Sequence, residues 1–126
     1  MKLRIKGNSL RLRLGRSEVN RLLENGRIED TIHFAPAPDA KLTYALEIGD
    51  SLGPVAVRYR PQEVAVVVSL ATAKHWAATD EITIAGESGI GNGMLAVVVE
   101  KDFACLDRSE HENEDTFPNP KVGAVC

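Results

Sequence analysis

Slid along itself by 54 positions, the chain meets its own pattern without a gap from Lys2 to about Asn25. Arg4 meets Arg58 and Lys6 meets Arg60. Leu10, Leu12 and Leu14 meet Val64, Val66 and Val68, and Val19, Leu22 and Leu23 meet Ala73, Trp76 and Ala77. With one residue deleted further on, Leu42, Leu46 and Glu47 meet Leu95, Val99 and Glu100. Identities are few, so the match is one of pattern, the mark of a repeated supersecondary unit. Two alternating strands alone agree in half of all registers. Two hairpins and a helix agreeing in a single register constrain the fold far more.

The unit reads as strand-strand-helix-strand-strand. Leu3 and Ile5 alternate with Lys2, Arg4 and Lys6, then Gly7-Asn8 turns the chain. Leu10, Leu12 and Leu14 then alternate with Ser9, Arg11 and Arg13. Period two on both sides of a short turn is a hairpin with one apolar face. Ser17 is the expected N-cap of a helix that Gly26 stops. Residues 27–34 and 41–48 follow as strands, with a bulge expected at Asp30 where the alternation breaks. The second half repeats the order, with a turn at Pro61-Gln62 and a helix capped by Ser69. Strands at 81–86 and 94–101 close it, joined by the Gly-rich stretch 86–93. The fold class is therefore α+β: two pseudo-repeated ββαββ halves, about eight mostly antiparallel strands in a sheet or barrel-like arrangement, and two helices. The strand-helix-strand step in each half suits a right-handed parallel crossover.

With 126 residues the chain has the size of a single domain, 1–126, with halves 1–50 and 54–101 and an acidic tail 102–126. The net charge of −3 argues against a dedicated nucleic-acid binder. No apolar run reaches the roughly 18 residues of a membrane span, and the alternating charges of the first residues exclude a signal-peptide core. The expected location is the cytoplasm, with Cys105 and Cys126 as reduced thiols.

The charges are unevenly spread. Lys2, Arg4, Lys6, Arg11, Arg13, Arg58 and Arg60 all project opposite to the apolar side of their hairpins. Residues 1–27 carry a net +6 and residues 100–115 a net −5. Arginines on rigid strands present planar donors that suit phosphate or carboxylate. Arg4, Lys6, Arg11, Arg13, Arg58 and Arg60 are thus the candidate anion-binding residues. The plainer alternative is a solvated face, or one covered by the acidic tail with Phe103 and Phe117 as its anchors. Each exposed ion pair would contribute only about 0–1 kcal/mol.

Cys105, His111 and Cys126 are a second candidate set, since thiolate and imidazole are zinc ligands. Their spacing matches no standard zinc motif. No cofactor is expected, with zinc or another divalent ion kept as an alternative. The Gly-rich stretch leads into a strand rather than a helix and lacks the Lys of a phosphate loop, so it reads as a hairpin loop. His33, His75 and His111 fall in three separate elements. Glu47 and Glu100 are equivalent under the repeat, and a pseudo-twofold axis between them would make a paired-carboxylate or divalent-ion site; two solvated strand ends are the simpler reading. Trp76 stands where Leu22 does and is expected in the core.

The opening K-L-R-I-K-G-N-S-L-R-L-R-L-x-R-S-E-V, and the late V-E-K-D-F-A-C-L with its acidic run and F-P-N-P, resemble the two ends of a small bacterial domain family of unknown function. The resemblance covers nearly the whole chain. It implies a stand-alone bacterial protein and supplies no catalytic residue. The leading functional reading is a non-catalytic binding or regulatory domain, its basic sheet face partly covered by the acidic tail. Its partner would be another protein or a small anionic ligand, and a homodimer is left open. The second reading is an enzyme or sensor for a phosphorylated or polyphosphate small molecule; the third is a tail held by metal through Cys105 and His111.

Overall fold

Strands with one apolar face must turn that face to a common core, and here two four-stranded sheets do so. The computed structural model describes residues 1–51, 53–91, 93–103 and 114–118. The elements are β1 (Lys2–Lys6), β2 (Ser9–Leu14), α1 (Arg16–Asn25), β3 (Arg27–His33), β4 (Lys41–Ile48), β5 (Ala56–Arg60), β6 (Glu63–Val68), α2 (Leu70–Ala78), β7 (Thr83–Gly89) and β8 (Met94–Lys101). The first sheet has the order β1-β2-β8-β7 and the second β3-β4-β6-β5. Eight strands and two helices among the described residues, in an α+β fold, match the sequence expectation.

The halves interlock. Each sheet takes its first hairpin from one half and its last two strands from the other. The four antiparallel pairings lie within halves, and the two parallel ones, β2 with β8 and β4 with β6, join the halves. The expected crossover within one sheet is therefore replaced by a step between sheets: α1 carries the chain from β2 to β3, and α2 from β6 to β7. The ladders obey the internal shift. Leu3↔Leu12 in β1–β2 corresponds to Val57↔Val66 in β5–β6, and Arg13↔Glu100 corresponds to Val67↔Glu47.

The core lies between the sheets and under the helices. Leu10, Leu12 and Leu14 meet Leu46, Val66, Val68, Val97 and Val99, and Val19, Leu22, Ala73 and Trp76 close over them. Trp76 is fully buried, as its place in the repeat required, and its indole N–H donates to the Ile82 carbonyl at 2.9 Å. The sheets also approach at their edges. A Cβ on Gly86 of β7 would lie 2.8 Å from Val55 Cγ1, just before β5. On the other side Tyr44 Oη donates to the Met1 carbonyl at 3.4 Å, and the Met1 amino group lies 3.3 Å from Asp30.

Three local expectations shift. Helix α1 is capped at Gly15, not Ser17, because Glu18 accepts the Gly15 N–H at 3.0 Å and Asp115 takes the next two amides. Strand β3 pairs with β4 in unbroken register through Asp30↔Tyr44, so there is no bulge. Strand β7 runs on to Gly89, because Gly86–Gly89 find backbone partners in Val97–Met94 of β8; the loop narrows to Ile90–Gly93, closed by Ile90 N–H to the Gly93 carbonyl at 3.0 Å.

Candidate anion site

Alternation puts one side chain in two of each strand on the outer face, and the registers arrange these in rungs. On the first sheet the rungs are Lys2-Arg13-Glu100-Thr83, Arg4-Arg11-Val98-Ala85 and Lys6-Ser9-Ala96-Glu87. On the second they are Ala56-Val67-Glu47-Arg27, Arg58-Ala65-Ala45-Glu29 and Arg60-Glu63-Thr43-Thr31. With Lys41, paired with His33 at the end of β4, the first face carries five basic residues against two carboxylates and the second four against three.

On the second face Arg27 and Arg58 form a network with three carboxylates, while Arg60 makes no ion pair among the described residues. Glu47 receives Arg27 Nη1 at 2.7 Å and Arg58 through Nε at 3.1 Å and Nη2 at 2.8 Å. Glu63 lies 3.3 Å from both arginines, and Glu29 accepts from Arg27 at 3.2 Å. Burial alone would raise the Glu47 pKa; the hydrogen bonds from Arg58 and Arg27 outweigh it and hold that carboxyl below its ordinary range. The Glu47 bond in turn raises the Arg58 pKa, while for Arg27 the carboxylate bonds overcome an opposing loss of hydration. Arg58 is therefore committed to protein carboxylates and offers little to a ligand.

The first face is open where the second is closed. Glu100 is held by Arg13, with Nε at 2.8 Å and Nη2 at 2.7 Å, and Arg11 stands 3.7 Å away. Lys2 bonds Asp102 at 3.0 Å. Arg4 and Lys6 make no ion pair among the described residues. Arg4 lies directly across the hairpin from Arg11, a like-charge placement that costs stability. Arg4, Lys6, Ser9 and Arg11 line a shallow groove of about 160 Å³ with no carboxylate in its wall. The Ser9 hydroxyl donates to the Lys6 carbonyl at 2.6 Å, so the groove's charged donors are the two guanidinium groups and the ammonium.

Of the six sequence candidates, Arg4, Lys6 and Arg11 are thus brought together, Arg13 borders them but is bound to Glu100, and Arg58 and Arg60 belong to the other sheet. Glu47 and Glu100 lie on different sheets, each held by its own arginines, so they form no shared site. Cys105, His111 and Cys126 lie outside the described residues; among the described residues no cluster of His, Cys, Asp or Glu suits a metal ion. Phe103 and Phe117 do pair, at 6.4 Å between ring centroids. The described part of the tail, Glu114–Pro118, seats on α1 and the end of β8: Asp115 accepts from the Arg16 amide at 2.9 Å and from the Ser17 amide at 2.9 Å, and Phe117 N–H donates to Asp102 at 2.7 Å. This lies at the Lys2 end of the face, away from Lys6. Sequence reasoning missed Arg27 and Glu63 as neutralising partners; the only signal was that Ser9 takes the place of Glu63 under the internal shift.

Interlocked four-stranded sheets with two covering helices, one outer face rich in cations and the other nearly balanced in charge, define the class of this protein. It belongs to a family of unknown function (DUF7009), which matches residues 1–121. No curated protein and no solved structure matches the chain. No helix among the described residues is long and apolar enough to cross a membrane.

Proposed function

We propose that this protein is a non-catalytic cytoplasmic domain of bacterial origin that binds a small phosphate-bearing anion in the groove of Arg4, Lys6 and Arg11. The observation that carries the reading is the difference between two outer faces related by one internal shift. Where the second face has Glu63 and Glu29, the first has Ser9 and Ala85, and where the second has Ala65 and Val67, the first has Arg11 and Arg13. Three cations held by a two-stranded scaffold repel one another and gain charge-assisted hydrogen bonds when an anion arrives. Glu100 and Glu87 on the neighbouring strands bound the positive area, which favours a compact ligand over an extended nucleic acid. The common element order and common registers of the halves support an origin by internal duplication, after which one face kept its charges compensated and the other did not.

Thermal unfolding in inorganic phosphate and pyrophosphate, against sodium chloride at equal ionic strength, tests the reading. A ligand at 100 times its dissociation constant adds about 2.7 kcal/mol. A saturable rise that Arg11→Ala removes is expected. No rise with either anion in the folded wild-type protein contradicts it.

A further inference from the structure

Strand β8 ends in a lysine that is almost wholly buried. Lys101 is 5% exposed. Its Nζ donates to the Thr79 carbonyl at 2.7 Å, just past the C-terminus of α2. It lies 5.8 Å from the ring centre of Trp76 and 5.3 Å from that of Phe117. An ammonium has three hydrogens to donate, and among the described residues the Thr79 carbonyl is its one hydrogen-bond acceptor. Among the described residues no carboxylate is paired with it. Burial lowers the Lys101 pKa, opposed through space by Asp80 and Glu81. A charge so poorly hydrated and so sparsely bonded is costly unless a further acceptor reaches it.

Lys101 also lines a pocket of about 400 Å³, together with the apolar Phe103, Phe117, Pro118 and Ala77 and the polar Thr79 and Asp80. Aromatic walls around one buried donor are the usual make-up of a small-molecule site. Asp80 is exposed, where water screens its charge; Lys101 lacks that screening. The internal shift places Ile48 at the position of Lys101, so the repeat's core needs no cation there.

We propose that this pocket binds a small carboxylate with an apolar body, the carboxylate accepting from Lys101 and the body lying against the paired rings of Phe103 and Phe117. Such a ligand supplies the missing acceptor and buries its own hydrocarbon against the rings. The site is independent of the Arg4, Lys6 and Arg11 groove and selects for the opposite character, one charge on an apolar frame.

Trp76, the single tryptophan, reports on the site. Its fluorescence is followed as phenylacetate is added to the full chain, with 2-phenylethanol as the neutral analogue. The expected result is a saturable change with phenylacetate, about tenfold weaker with 2-phenylethanol and in Lys101→Met, and unaltered in Arg11→Ala. Methionine keeps the apolar stem against the rings. A non-saturating or absent change, or equal affinity in a Lys101→Met protein with wild-type circular dichroism, overturns the proposal. Should Lys101→Met fail to fold, the wild-type protein decides: equal binding of phenylacetate and 2-phenylethanol overturns it as well.

Discussion

The outer faces of the two sheets share a scaffold and differ in charge. Both are built from a hairpin of one half laid parallel to a hairpin of the other, in registers related by the same shift. Both place a glutamate near the end of a central strand, Glu47 on β4 and Glu100 on β8, and both surround it with arginines. On the second face Arg27 and Arg58 are both held by carboxylates, with only Arg60 and Lys41 outside the network among the described residues. On the first, Lys6 and Arg4 extend beyond the reach of Glu100, and nothing acidic occupies Ser9 or Ala85. The lesson is that a strand face can be structural or available for binding without any change in backbone; two or three side chains decide which.

The largest expected effect is on the closed face. Glu47 is 19% exposed and accepts from two arginines. Glu47→Gln leaves both half-buried guanidinium groups short of a carboxylate and should cost about 2 kcal/mol in denaturant unfolding. A loss below about 0.5 kcal/mol would mean the network is only surface decoration. The pH dependence has a definite sign. Because the native pKa of Glu47 is held below its unfolded value, its contribution is fully present above the ordinary carboxylate range. It is lost as pH falls through the depressed native value. The acid limb of stability should therefore be shallower in Glu47→Gln than in wild type.

Next comes the ligand effect on the open face. Arg11→Ala should weaken pyrophosphate binding by about tenfold, or about 1.4 kcal/mol, while Arg60→Ala on the second sheet leaves it unchanged; titration calorimetry separates them. Equal losses in both would erase the distinction between the faces. A transplant sharpens it further. Ser9→Glu copies Glu63 into the groove and should add about 0.5 kcal/mol at low salt through new cross-strand pairs, while abolishing the anion response. Smallest is Arg4→Ala, which removes a like charge opposite Arg11. It should raise stability by about 0.3 kcal/mol at low salt, and the gain should fade above the salt concentration at which exposed charges are screened.

How much of this was legible in the chain follows from the range of each interaction. Leu10, Leu12 and Leu14 against Arg11 and Arg13 announce a strand, its buried face and its outer face from local alternation alone. The internal shift pairs Glu47 with Glu100 as equivalents. What it does not say is that the hairpins trade partners, because the parallel pairing of β2 with β8 joins residues nearly 90 apart and leaves no local mark. That one topological fact moved Arg58 to the other sheet and split the basic candidates into two groups. The cap of α1 was misplaced for the same reason: Ser17 looks like a cap, yet its amide and hydroxyl are taken by Asp115, which arrives from the far end of the chain. Lys101 was invisible because a lysine at a strand end normally faces water; only the packing of Trp76 and Phe117 around it shows its burial.

The central claim is that the groove of Arg4, Lys6 and Arg11 is an anion site because it lacks the carboxylates its counterpart has. The most direct test is pyrophosphate-dependent thermal unfolding of the wild type beside Ser9→Glu, at ionic strength matched with sodium chloride. The account predicts a saturable rise in Tm for the wild type and none for Ser9→Glu, which should itself unfold at a slightly higher temperature in the absence of pyrophosphate. An equal pyrophosphate response in both proteins, or none in the wild type, would contradict it.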